Sequence, residues 1–118
     1  MKILQLIIKQ NYFDEIIAGT KKQEFRECKP TTYRKYCEVD DEGYCVMENG
    51  AFVPKKYDAI QFYVGYNKNR AGALVEVTGA KIVVLTDEND EIITYEYAGK
   101  EFWASEIVYD LGKVLELN

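Results

Sequence analysis

Hydrophobic positions in this chain fall mostly in short alternating runs divided by turn residues, with one stretch at helical spacing. Residues 3–8 are nearly continuous apolar, as expected of a strand buried on both faces. Asn11 with Asp14 makes a capping-box-like start. Phe13, Ile16 and Ile17 then form one helical face, and Gly19 is placed to end the helix in a left-handed conformation. Residues 23–27 alternate as a strand, which puts Phe25 on one face and Glu24 with Arg26 on the other. Residues 31–36 read as a helical turn or a loop. Asn49-Gly50 lies between two apolar runs, a hairpin signal because both residues tolerate positive φ. Residues 57–64 alternate again, with Ile60, Phe62 and Val64 on one face. Residues 65–70 form a polar turn. Residues 73–85 make a long β-branched strand with a bend expected at Gly79, residues 86–90 an acidic turn, and residues 91–97 a further strand. Residues 101–105 are ambiguous, and residues 108–117 read as a last strand containing Gly112.

The sum is one or two short helices and about six to eight strands. That predicts an α+β fold, a closed or half-open barrel with a helix plugging one side. The 118 residues fit one domain with a modest core. No linker, repeat or low-complexity segment interrupts them. No apolar run approaches the ~20 residues that span a bilayer, and the first strand lacks the small-residue cleavage site of a signal peptide. The expected compartment is the cytoplasm, with no membrane partner.

Composition removes several kinds of chemistry. There is no histidine, so the usual general base near neutral pH, every Ser-His or Cys-His nucleophile and the commonest metal ligand are absent. An enzyme built on this chain would move protons with Lys, Glu, Asp or Tyr. Cys28, Cys37 and Cys45 are odd in number and lack C-x-x-C spacing. They read as reduced thiols, neither a disulfide framework nor a zinc site. Nothing calls for a cofactor or a metal.

Charge is uneven along the chain. Net charge is −5, but residues 1–85 hold 13 Lys/Arg against 11 Asp/Glu, and residues 86–118 hold 2 against 9. An acidic protein is a poor general nucleic-acid binder, because affinity for phosphates follows the cations presented. A local basic cleft in the first two thirds favours a small ligand over long RNA. Its densest part is Gly19-Thr20-Lys21-Lys22-Gln23-Glu24-Phe25-Arg26. There Arg26 suits a forked contact to phosphate or carboxylate, and Glu24 suits a base edge or the orientation of Lys21. Tyr63, Tyr66, Asn67 and Arg70 form a second patch, tyrosines beside a cation and an amide, which suits base stacking and phosphate contact. Tyr33, Arg34 and Tyr36 are further candidates for a cleft lining. Glu76, inside an apolar strand, is either solvated or a buried acid, and Trp103 reads as core or edge packing.

A strand, then Tyr12-Phe13-Asp14-Glu15-Ile16-Ile17-Ala18-Gly19, then Lys21 with Glu24 and Arg26 two apart, resembles the ASCH domain of the PUA-like superfamily. Lys29-Pro30, residues 57–62, Gly65-Tyr66-Asn67 and residues 75–79 resemble its small bacterial and phage members. The likeness covers most of the chain, with residues 38–53 as a hairpin insertion. It implies a single PUA-like β-barrel over residues 1–118 with a cleft beside the first helix, and RNA or a nucleotide as partner. Ligand-binding residues would then be Lys21, Lys22, Glu24, Arg26, Tyr63, Tyr66, Asn67 and Arg70. Some family members are ribonucleases or small amidohydrolases acting on modified cytidine, which implies a hydrolase reading with Lys21 and Glu24 as catalytic groups. Glu24 stands where the amidohydrolase-type members carry their Thr nucleophile, and Glu88, Glu91 and Glu96 compete for the place of the later acid. A protein-interaction domain without a small ligand is the third reading, suited to the acidic C-terminal third.

Overall fold

A computed structural model describes all residues, 1–118. It is an α+β fold with a mostly sheet framework: nine strands and two helices, in the order β1 (Ile3–Ile8), α1 (Gln10–Ala18), β2 (Gln23–Cys28), α2 (Tyr33–Tyr36), β3 (Met47–Glu48), β4 (Ala51–Phe52), β5 (Ala59–Val64), β6 (Gly72–Val84), β7 (Thr94–Tyr97), β8 (Lys100–Trp103) and β9 (Ser105–Leu117). The main sheet has the order β1-β5-β6-β9-β2, and β3-β4 and β7-β8 are separate two-stranded hairpins. No closed barrel is present. The strand count exceeds the expected six to eight because the ambiguous stretch after Tyr97 folds back as β8. No helix is long and apolar enough to cross a membrane.

The chain forms two compact units, neither continuous in sequence. Unit 1 comprises residues 1–24, 56–79 and 109–118, and unit 2 residues 25–55 and 80–108.

In unit 1, β1 and β5 pair in parallel from Ile3–Ala59 to Ile8–Val64, and β5 pairs antiparallel with β6 from Ala59–Glu76 to Tyr63–Gly72. Leu4, Leu6 and Ile8 are buried while Ile3 and Gln5 are exposed. The expectation of a strand buried on both faces therefore fails: β1 is the edge strand of the sheet and only one of its faces meets the core. Helix α1 starts at Gln10, with Lys9 as N-cap and no side-chain cap hydrogen bond. The bond from the Phe13 N–H to the Lys9 carbonyl closes the first turn directly after β1, so Asn11 lies inside the helix and caps nothing. Phe13 and Ile16 bury against the sheet, but Ile17 is exposed, which leaves a narrower apolar stripe than the spacing promised. Gly19 ends the helix at φ 80°.

Unit 2 is built around buried Cys28, Tyr36, Cys37, Ile82, Ala104 and Ile107. Asn49 and Gly50 take φ 51° and 79° and turn β3 into β4, as two positive-φ residues in a primed turn must. The bridges Cys37–Pro54 and Val39–Cys45 extend the pairing around this hairpin.

Candidate functional site

In unit 1 the turn after α1 is held tightly. The backbone N–H groups of Thr20 and Lys21 both donate to the Glu15 carbonyl, at 3.0 and 3.1 Å, and the Thr20 hydroxyl donates to it at 3.2 Å. One carbonyl thus anchors the two residues that launch β2. The Lys21 side chain then folds back over the helix. Its ammonium lies 5.3 Å from the Tyr12 ring centroid and 3.6 Å from Oε1 of Glu24.

Glu24 is buried, at 6% exposure, whereas Phe25 is 47% exposed. Strand β2 therefore turns its charged face inward: Glu24 is buried, Arg26 half-buried and Cys28 buried, while Gln23, Phe25 and Glu27 face out. Sequence alternation grouped Glu24 with Arg26 correctly but left open which face is the buried one. An apolar residue at Phe25 suggests the opposite answer, and what overrides it is the Lys21 cation, which gives the inward Glu24 a partner. Lys22 is exposed and takes no part; its carbonyl accepts the Leu111 N–H at 2.9 Å.

The second predicted patch condenses around Tyr63. The Arg70 guanidinium carbon lies 3.9 Å from the Tyr63 ring centroid, and its Nη1 donates to the Gly65 carbonyl at 3.3 Å. The Arg70 N–H also closes the turn onto the Asn67 carbonyl at 3.2 Å. One face of Tyr63 is covered by the chain's own cation, so Tyr66, at 84% exposure, is the open ring of the pair. The Asn67 side chain is exposed as well. The two groups share an end of unit 1. Ile8 pairs with Val64, so the first turn of α1, which carries Tyr12, starts beside the strand end that carries Tyr63. Tyr12 is not among the site residues expected from the sequence; its signal is an aromatic in the first helical turn, two residues before the acidic and apolar run that starts at Asp14.

Unit 2 holds a feature that no motif or spacing in the sequence signals. A pocket of about 250 Å³ is lined by all three cysteines, by Tyr33, Tyr44, Phe52, Phe102 and Trp103, and by Ser105 with Lys29, Lys100 and Glu101. Tyr33 packs on Phe102 at 5.7 Å between ring centroids, and Phe52 on Trp103 at 5.9 Å. The Tyr33 hydroxyl donates to the Gly43 carbonyl at 2.7 Å, which fixes one wall. The Lys100 ammonium sits 4.9 Å from the Tyr44 ring centroid. Trp103, read as core or edge packing, is a wall of this pocket. Of the other candidates, Tyr36 is core and Arg34 lies over the Tyr33 ring at 5.6 Å.

The three thiols are linked in a row with Cys37 in the middle. Hydrogen bonding with Cys37 pulls the Cys28 thiol below its ordinary range, helped by Ser105 and the Ile107 backbone and opposed by burial. The same contact with Cys37 pulls the Cys45 thiol down. Cys37 is pushed the other way, by its contacts with Cys28 and Cys45 and by burial, because its proton serves both neighbours. No disulfide joins them, and no group of three or more His, Cys, Asp or Glu is placed to hold a metal ion. Comparison with known proteins gives no match: no family model, no curated protein and no solved structure corresponds to this chain.

Proposed function

We propose that the chain is an ASCH-type, PUA-like module that binds a nucleotide or a short single-stranded RNA segment at the Tyr12–Lys21–Glu24 end of unit 1. The observation that carries this reading is the Lys21–Glu24 pair, a carboxylate at 6% exposure beside a cation 3.6 Å away. Burying two opposite charges contributes little net stability, and apolar residues of similar volume often serve a fold as well or better. A sealed carboxylate paired with a half-buried ammonium in a small domain therefore supports a role in recognition. A fixed carboxylate accepts hydrogen bonds from an exocyclic amino group on a base edge, and an ammonium beside it meets phosphate. Tyr12 and the open ring of Tyr66 supply stacking surface. The order strand, helix, Gly19, Lys21, Glu24, Arg26 is the sequence support for the family assignment.

The test is heat unfolding of the full chain against a panel of nucleosides, nucleotides and short RNAs, repeated with Lys21→Met and Tyr66→Ala. A ligand present at 100 times its Kd stabilises the folded state by about 2.7 kcal/mol. A ligand-dependent rise in Tm that Lys21→Met and Tyr66→Ala diminish is the expected result. No rise with any member of the panel, or an equal rise in both variants, overturns the assignment. Analysis of the same mixtures for cleavage products separates binding from hydrolysis.

A further inference from the structure

The thiol pocket of unit 2 shares no lining residue with the site proposed above. Buried cysteines are ordinarily inert small hydrophobes, and Cys37, at 1% exposure, fits that description by itself. Three features do not. All three cysteines line one pocket, and five aromatic residues and two lysines share that lining. Cys45 is the most open of the three, half-buried where Cys28 and Cys37 are sealed. A reactive thiol needs an accessible sulfur in surroundings that favour thiolate. Cys45 is half-buried and lines the pocket together with Lys29 and Lys100, and hydrogen bonding with Cys37 draws its thiol below the ordinary range.

We infer that this pocket is a thiol–disulfide exchange site whose substrate is a small organic disulfide with an aromatic, anionic substituent. Cys45 is the attacking thiol, Cys37 the resolving thiol, and Cys28 the acceptor of the Cys37 proton. The aromatic walls take the ring and the Lys29 and Lys100 ammonium groups meet its negative charge. At about 250 Å³ the space lies just below the range that drug-sized ligands occupy, which suits one ring and its substituents.

The Cys45 thiolate attacks one substrate sulfur, the substrate S–S bond breaks, and one thiolate leaves. Cys45 now carries a mixed disulfide. Cys28, whose thiol is drawn below its ordinary range, enters this step as a thiolate: it takes the Cys37 proton and becomes a neutral thiol as the Cys37 sulfur attacks the Cys45 sulfur. The mixed disulfide breaks, and the second substrate thiolate leaves. Two cysteine thiols have given two electrons to one disulfide, yielding two substrate thiols and a Cys37–Cys45 bond.

The backbone suits a bond that opens again. Val39 bridges Cys45, and the Val46 N–H donates to the Glu38 carbonyl, so Cys37 and Cys45 are diagonal neighbours on one face of an antiparallel pair. Diagonal Cα atoms are roughly 7–8 Å apart, whereas a disulfide wants about 4.4–6.8 Å. Closing the bond draws the turn at residues 40–44 inward. That turn is tied by Asp40, whose carboxylate accepts the Glu42 and Tyr44 N–H groups at 2.9 and 3.0 Å. Oxidation therefore strains it, and a strained disulfide is the easily reduced kind.

The probe is 5,5′-dithiobis(2-nitrobenzoate), an aromatic disulfide with a carboxylate on each ring, applied in excess to the fully reduced chain at pH 7. The expected fast phase releases two thiolates per chain and leaves a protein two mass units lighter, with Cys37 and Cys45 joined. Its rate should exceed that of the same chain in denaturant several-fold, because the folded pocket presents thiolate beside two ammonium groups, and cystamine, a cationic disulfide, should react more slowly. Cys45→Ser should abolish the fast phase. Cys37→Ser should release one thiolate and keep the adduct on Cys45. Trp103→Ala, a change on the partly exposed wall, should slow the fast phase several-fold and serves if Cys37→Ser does not fold. A native chain no faster than the denatured one, a fast phase that survives Cys45→Ser, or a first adduct on Cys28 overturns the inference. Nucleotide binding by unit 1 is not read in this assay, so the two readings fail separately.

Discussion

The ammonium of Lys21 and the carboxylate of Glu24 meet at 3.6 Å across the start of β2, with the acid almost sealed from solvent. Removing the cation alone leaves a buried carboxylate without it. Lys21→Met should therefore cost about 1–3 kcal/mol, and Glu24→Gln introduced on that background should recover part of the loss. The coupling energy from the four-member cycle, read by urea unfolding, is expected at about 0.5–3 kcal/mol. Strictly additive effects would show that the pair contributes nothing to the fold.

The Cys45 thiol is drawn below its ordinary value of 9.0 by hydrogen bonding with Cys37, against burial and the charges of Cys28 and Asp40. A lowered pKa means more thiolate at neutral pH, so alkylation of Cys45 by iodoacetamide should rise with pH with its midpoint below 9. Cys37→Ala removes the donor and should move the midpoint upward, lowering the rate at pH 7. Cys37→Ser keeps a donor and should preserve most of it. Peptide mapping by mass assigns the rates to Cys45; a midpoint unmoved in Cys37→Ala would be the contrary result.

Gly112 on β9 leaves room for another side chain. A Cβ built there would fall on the Glu76 carboxylate and within 2.9 Å of the Thr78 methyl, while Glu76 accepts the Lys113 N–H at 3.4 Å. Glu76 is thus neither solvated nor deeply buried but packed half-exposed against a glycine. Gly112→Ala should destabilise unit 1 by about 1–3 kcal/mol through overpacking. Glu76→Ala, which clears the space, should make the same substitution nearly neutral in thermal unfolding.

What could be read from the sequence was local. The Asn49-Gly50 turn, the end of α1 at Gly19 and the long β6 all follow from φ preferences or side-chain alternation within a few residues. The pairing of Lys21 with Glu24 was legible as a spacing of three, but its burial was not, because alternation tells which residues share a face and not which face is covered. The cysteine pocket was invisible for a stronger reason. Cys28 ends β2, Cys37 closes α2 and Cys45 precedes β3. They converge through the Cys37–Pro54 and Val39–Cys45 bridges, and no motif or period encodes such a meeting.

The division of unit 1 into residues 1–24, 56–79 and 109–118 also bears on how the chain is made. The N-terminal strand and helix leave the ribosome long before the stretch that completes their unit. At ~5–20 residues per second, the wait between Glu24 and Tyr109 lasts on the order of ten seconds. During that time the apolar face of β1 and α1 has only part of its final cover. Newborn chains should consequently be most vulnerable to aggregation and chaperone capture late in synthesis, and the two units cannot mature in the simple order of their residues.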